Sequence, residues 1–99
     1  LIGEGASDHT YRVITQVLAE NPDVERVLAD PAAMHLSEKR ILVLLKVQFR
    51  NETELDDAAA INRLEKQLRA AIPYYTLDIV VEPDTYDPVK AAKVEDWVD

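Results

Sequence analysis

The 99-residue sequence predicts a single α+β domain in which two helices cover one face of a three-stranded sheet. Three observations predict this class. Apolar residues recur at helical spacing in two segments, they alternate with a period of two in residues 40–49 and 77–82, and proline or polar residues separate the segments. The predicted order is helix, strand, strand, helix, strand. Chains of this length form one domain with a modest core.

The first helix is predicted to begin after Ser7, whose hydroxyl group can cap it. Asp8 follows in the first turn, where the helix dipole favours a negative charge. Asn21-Pro22 ends the helix. Its apolar stripe consists of Val13, Ile14, Val17 and Leu18. Residues 1–6, which contain both glycines of the chain, are interpreted as a linker.

Two strands are predicted to follow as a hairpin. Residues 24–36 are extended but interrupted at Asp30-Pro31. Because proline has no amide donor, this strand lies at a sheet edge or is bulged there. A short polar connection at residues 37–39 leads to the most apolar run of the chain, residues 40–49.

The second helix is predicted from a long apolar period. Thr53 is the predicted N-cap, and Asp56 three residues later completes a variant of the capping box. Apolar residues then recur at spacings of three and four, at Leu55, Ala58, Ala59, Ile61, Leu64, Leu68 and Ile72. Pro73 ends this helix, and residues 77–82 form the third strand.

The central strand has two different faces. One is entirely apolar and is predicted to lie under both helices, with Ile41, Val43, Leu45, Val47 and Phe49. The other carries Leu42, Leu44 and then Lys46. With Val80 of the third strand these residues are predicted to form a contact with a second copy, because contiguous exposed apolar patches are typical of contact surfaces. The alternative is that the acidic tail covers the patch, with Trp97 as a lid.

Composition excludes several classes of function. Eleven Lys and Arg against nineteen Asp and Glu give a net charge of −8, which opposes nucleic-acid binding. The absence of cysteine excludes disulfides, thiolate zinc sites and a cysteine nucleophile. His9 and His35 have no Ser, Cys or second His at a catalytic spacing, and no glycine loop is left for a phosphate. We therefore expect a protein that is not an enzyme.

The start of the chain and the length of its apolar runs bear on membrane insertion and on whether the chain is part of a longer protein. No apolar run approaches the roughly 20 residues that a membrane-spanning helix needs. The chain begins with Leu1 and not with methionine, which suggests a piece of a longer protein.

Carboxylates cluster after the third strand. Glu82, Asp84 and Asp87 follow one another closely, and Asp30 lies in the interrupted strand. Carboxylates that converge can hold a hard or borderline divalent cation. A solvated acidic face is the commoner meaning of such a cluster, and both interpretations stay open.

Five stretches, taken in order, carry a resemblance to a known family: LIGE, ENPDVERV, MHLSEKRILVLLKVQF, AAINRLEKQLRAAIP and LDIVVEPD. Residues 1–84 resemble the C-terminal cytoplasmic domain of cation diffusion facilitator (cation efflux) transporters. The resemblance implies a ferredoxin-like, metallochaperone-like fold. It also implies a linker at residues 1–6 from a six-helix membrane domain and a dimerisation and regulatory domain at residues 7–84. Residues 85–99, an acidic tail, have no counterpart.

The resemblance also bears on metal binding. Zinc-binding members have a histidine at the positions of Asp30, Lys46 and Glu82. They have an aspartate at the position of Asp84. A charged lysine cannot ligate and repels Zn²⁺, so the zinc site of those members is not preserved here. In one alternative Lys46 pairs with Glu82 or Asp84 in place of the metal. In the other, a weak site for Zn²⁺ or Mn²⁺ forms from Asp30, His35, Glu82 and Asp84.

The resulting hypothesis is a non-catalytic dimerisation and regulatory domain of a divalent metal cation efflux transporter of the Zn, Mn, Fe or Co class. It implies a homodimer on the cytoplasmic side of a bacterial inner membrane. The alternative is a ferredoxin-like regulatory module that senses a small molecule on its open sheet face. The scarcity of loop glycines counts against that alternative. The sequence does not indicate which ion is transported.

Overall fold

A computed structural model describes residues 2–50 and 56–89. The elements in chain order are α1 (Asp8–Glu20), β1 (Val24–Val27), β2 (Ala32–Ser37), β3 (Arg40–Phe49), α2 (Asp57–Ala71) and β4 (Thr76–Pro83). The α+β class and the order of the predicted elements are confirmed. The sheet has four strands and not three, because the first predicted strand is divided into β1 and β2.

The strand β3 is the centre of a mixed sheet. It pairs antiparallel with β1 and β2 on one side and parallel with β4 on the other. β1 and β2 follow one another along the same side of β3, where Val27 pairs with Val47 and Ala32 pairs with Leu44. The segment between them contains Pro31, which has no amide to donate, and the pairing is broken there. The predicted interruption of an edge strand is therefore confirmed.

Both helices cover one face of this sheet, which we call the helix face. The side chains of β3 on this face are buried, namely Ile41, Val43, Leu45, Val47 and Phe49. The helices contribute Ile14 and Leu18 from α1 and Leu64 and Leu68 from α2, all at most 3% exposed, to the same core. The predicted two-layer arrangement is confirmed, since one apolar cluster joins the sheet to both helices.

The ends of α1 follow the predicted signals. The Ser7 side chain accepts a hydrogen bond from the backbone amide of Thr10 and caps the helix. At the other end the Asn21 side chain accepts hydrogen bonds from the backbone amides of Asp23 and Val24, at 2.7 and 3.2 Å. The same side chain donates to Gln67 of α2 at 2.7 Å. Asn21 thus ends α1 and also ties it to the second helix.

The start of α2 differs from the prediction. Asp56 is the N-cap, and its carboxylate accepts a hydrogen bond of 2.8 Å from the backbone amide of Ala59. The predicted cap at Thr53 is therefore wrong, and Thr53 and Leu55 lie outside the described residues. Asp56 is the cap because it stands directly before Asp57, the first helical residue, so its carboxylate reaches an amide of the first turn. The helix ends at Ala71, next to the predicted stop at Pro73. Neither described helix is long and apolar enough to cross a bilayer.

The predicted linker is attached to the sheet over part of its length. Gly3 donates a backbone hydrogen bond to His35, His35 donates to Glu4, and Ala6 donates to Ala33, all at 2.8 to 2.9 Å. The hydroxyl group of Tyr11 also donates to the Ala33 carbonyl. The role of residues 1–6 as a linker stays a prediction, but residues 3–6 cover the outer edge of β2.

Candidate functional site

The sheet face opposite the helices, which we call the outer face, carries an exposed apolar patch. Cross-strand neighbours point to the same face of a sheet, and the register pairs Ala32 with Leu44, Met34 with Leu42 and Leu44 with Val80. These five residues are the apolar patch. Leu44 is 38% exposed and Val80 is 53% exposed. The prediction that Leu42 and Leu44 point away from the helices is confirmed.

An ion pair lies at one end of the apolar patch. The guanidinium group of Arg40 donates two hydrogen bonds to the carboxylate of Asp78, at 2.6 and 2.9 Å. These hydrogen bonds hold the pKa of Asp78 below its usual value and raise the pKa of Arg40. The Arg40 side chain is about half exposed and the Asp78 side chain is about one-third exposed. The pair therefore fixes the positions of the two side chains but contributes little to the free energy of unfolding.

The low pKa of Asp78 makes a small part of the stability pH-dependent. A carboxylate whose pKa is lower in the folded state stabilises the fold above its unfolded pKa, which is about 3.9. This contribution is lost as the pH falls through the lower folded pKa. We expect the difference in urea midpoint between the natural chain and Asp78→Asn to be present at pH 7 and to shrink below about pH 4. Asp30→Asn, at an exposed aspartate, is the control. An Asp78→Asn difference that is constant with pH would contradict the pairing.

A second ion pair lies at the other end of the patch. The ammonium nitrogen of Lys46 is 3.5 Å from a carboxylate oxygen of Asp84, and both side chains are about one-third exposed. The register also places Glu82 next to Lys46 on the outer face. The predicted pairing of Lys46 with Glu82 or Asp84 is confirmed for Asp84, which directly follows β4. Partly exposed ion pairs contribute only ~0–1 kcal/mol, so a contact between this face and a second copy of the chain depends on apolar burial.

Of the predicted metal ligands, Glu82 and Asp84 lie together. Asp30 lies in the connection between β1 and β2, on the side of β3 away from β4. Within residues 2–50 and 56–89, no group of three or more His, Cys, Asp or Glu side chains is placed to hold a metal ion. The set Asp30, His35, Glu82 and Asp84 stays a prediction, and the structure brings two of its members together.

His35 lies at the opposite end of the sheet from Glu82. It pairs with Ile41, whereas Glu82 pairs with Lys46, five residues further along β3. At the rise of a strand this separates the two by about 17 Å along the strand direction, and β3 lies between them. The His35 ring instead packs edge-on against Tyr75, with 5.6 Å between the ring centroids. His35 is thus a neighbour of the helix face and is far from the acidic residues.

The chain crosses the outer face directly after β4. The backbone amide of Asp84 donates to Val47, and the amide of Tyr86 donates to the side chain of Gln48 at 3.3 Å. The Tyr86 ring then lies 4.3 Å from the guanidinium carbon of Arg26, in a cation–π contact. Arg26 belongs to β1, so residues 84–86 pass over β3 from β4 to β1. No sequence signal predicts this contact.

The crossing segment bears on the alternative in which the tail covers the patch. Residues 84–86 contact the Gln48 end of the outer face, whereas Leu44 and Val80 stay exposed in the described part of the chain. The predicted lid residue Trp97 lies outside the described residues.

Comparisons with known proteins identify the fold. No protein-family model matches the sequence, and no curated protein matches it. A nickel form of a variant of the MamM C-terminal domain matches with a TM-score of 0.64 and 11% identity, over 82% of this chain and 100% of that chain. Two further variants of that domain match with TM-scores of 0.61 and 0.60, at 13% and 12% identity. They cover 81% and 79% of this chain and 100% and 95% of their own.

Identities this low establish the fold alone. The fold is that of the MamM C-terminal domains, a ferredoxin-like fold. The resemblance drawn from the five sequence stretches is therefore confirmed at the level of the fold. Copper and cadmium forms of the MamM C-terminal domain also match.

Proposed function

We propose that this chain is the C-terminal cytoplasmic domain of a divalent-metal efflux transporter of the cation diffusion facilitator family, and that it acts by self-association and not by catalysis. The fold shared with the MamM C-terminal domains supports this assignment. The proposed self-association rests on one observation. The apolar patch on the outer face is continuous across three strands, is exposed at Leu44 and Val80, and is bordered by an ion pair at each end.

The composition of the outer face suits a second copy of the chain. Burial of apolar surface contributes about 25 cal/mol per Å², and Leu44 and Val80 supply such surface. The bordering pairs, Arg40 with Asp78 and Lys46 with Asp84, are each neutral as a pair. Two copies facing one another therefore bring together few uncompensated charges. A patch of this size gives weak association alone, which a shared membrane domain would strengthen by raising the local concentration.

The regulatory part of the proposal concerns divalent cations. Glu82 and Asp84 offer carboxylate oxygens at the edge of the contact face, and the ammonium group of Lys46 beside them keeps cation binding weak. Zn²⁺ or Mn²⁺ that displaces this ammonium group would change the charge at the border of the contact. In the full-length transporter, on the cytoplasmic side of a bacterial inner membrane, such binding would adjust the spacing of the two domains and hence transport.

Sedimentation velocity over a range of protein concentrations, with and without Zn²⁺ and Mn²⁺, tests the proposal. We expect concentration-dependent self-association that Leu44→Glu weakens, because the new charge would be buried in the contact through the outer face. The far-ultraviolet circular dichroism of this variant should be unchanged. Ile2→Glu is the matched control, since Ile2 is 80% exposed and lies outside the outer face.

Two outcomes would count against the proposal. A chain that stays monomeric at high concentration and responds to no cation would contradict it. Loss of the circular dichroism signal in Leu44→Glu would mean that the faces of β3 are reversed. A thermal-shift response to amino acids, without any response to cations, would favour the small-molecule-sensing module instead.

A further inference from the structure

The outer edge of β4 is open in the described part of the chain. β4 pairs with β3 alone, and its eight residues show no register shift. The outer edge of β2, on the other side of the sheet, is covered by residues 3–6. β1 has only four residues. A long, regular edge strand with unpaired backbone groups is a template for another strand.

The backbone groups that point outward from β4 can be identified. The amide of Thr76 donates to Lys39, and the amide of Asp84 donates to Val47, so both face β3. Because successive residues of a strand point their backbone groups to opposite sides, the even-numbered residues of β4 face β3. The amides and carbonyls of Leu77, Ile79 and Val81 therefore face outward.

We propose that this edge binds β4 of a second copy of the chain, antiparallel, with Ile79 opposite Ile79 of the other copy. In this register Leu77 of each copy lies opposite Val81 of the other. Every outward amide from residue 77 to residue 81 then meets an outward carbonyl, as in an antiparallel ladder. Two small sheets become one continuous sheet.

The charges of β4 favour this register over the registers centred on Val80 and on Asp78. A register centred on Val80 places Asp78 opposite Glu82 and brings Pro83, which has no amide, into a pairing position. A register centred on Asp78 places that carboxylate opposite its own copy. Like charges directly opposite one another are destabilising. The proposed register instead places Asp78 opposite Val80 and Glu82 opposite Thr76.

Side-chain burial agrees with an additional strand at this edge. Ile79 and Val81 point to the helix face but are only half-buried, because no strand lies beyond them in the described chain. A second β4 would bring the same side chains of the other copy next to them. The symmetry also places the two outer faces side by side. The edge contact goes beyond the proposed function, which requires only the contact through Leu44.

Amide hydrogen exchange measured by NMR at low and high protein concentration tests the edge contact on the natural chain. We expect the amides of Asp78, Val80 and Glu82 to be protected at both concentrations, because they face β3. The amides of Leu77, Ile79 and Val81 should gain protection only where the chain associates. Rapid exchange of these outward amides in the associated chain would overturn the proposal. Protection at low concentration would do so as well, since another part of the chain would then cover the edge.

A pair of variants tests the register. Since the proposed register places residue 80 opposite Asp78 of the other copy, Val80→Lys should associate about tenfold more tightly than Val80→Glu. The difference should shrink at high salt. Equal association of the two variants would overturn the register. Leu44→Glu should leave the protection of the outward amides unchanged, which separates failure of the edge contact from failure of the face contact.

Discussion

Replacing Leu64 with alanine is expected to lower the free energy of unfolding by about 2–5 kcal/mol. Leu64 lies on α2 and is fully buried in the core between the helices and the sheet. The substitution removes this apolar contact and leaves a cavity. A domain of this size has a total stability of only about 5–15 kcal/mol, so the variant should be close to unfolding. Urea denaturation followed by circular dichroism measures the loss as a lower midpoint at an unchanged slope.

The matched control is Leu44→Ala, which removes the same atoms from the outer face. Because Leu44 is 38% exposed, we expect a loss of about 1 kcal/mol or less in the monomer. Equal losses in the two variants would show that Leu44 is as buried as Leu64. The outer face would then not be free for a second copy, and the proposed function would lose its main support.

Replacing Lys46 with glutamine is expected to raise the affinity for Mn²⁺ and Zn²⁺ at least about tenfold. The ammonium group of Lys46 lies 3.5 Å from Asp84 and next to Glu82 in the register. It neutralises the carboxylates that a cation would need, and it repels the cation directly. Glutamine keeps most of the length of the side chain but removes the charge. Isothermal titration calorimetry with each metal compares the two proteins.

Lys39→Gln serves as the control for the cation measurement. It removes the same charge at an exposed position in the turn between β2 and β3, away from Glu82 and Asp84. Its cation affinity should equal that of the natural chain. If Lys46→Gln also binds no more tightly, Glu82 and Asp84 do not form a cation site. The regulatory part of the proposed function would then have to be abandoned, while the self-association part would stand.

The outer face and the β4 edge offer two contacts that share Val80. The first buries the apolar patch against another sheet, and the second extends the sheet by backbone pairing. Leu44→Glu removes the first and leaves the second, whereas the charge of a residue at position 80 acts on the second through Asp78. The measurements therefore assign any observed self-association to one surface or to the other.

The sequence by itself determined the elements and the faces of the sheet. The alternation of residues 40–49 placed Leu44 opposite to the core, and the helical stripe that includes Leu64 and Leu68 placed α2 over the other face. Ser7 and Asn21 marked the ends of α1, and Pro31 marked the break in the edge strand. These features are local, because a cap, a proline or the spacing of apolar residues determines the structure of only a few neighbouring residues.

Only the tertiary structure decided which distant residues meet. Alternation alone does not show that His35 pairs with Ile41 while Glu82 pairs with Lys46, and this register separates two of the predicted metal ligands. The contact between Tyr86 and Arg26 likewise joins residues that no local pattern connects. The physical reason is that pairing register and strand order depend on how the whole sheet assembles. Two residues on strands that are far apart in sequence become neighbours only when the strands of the sheet have paired in the correct order and register.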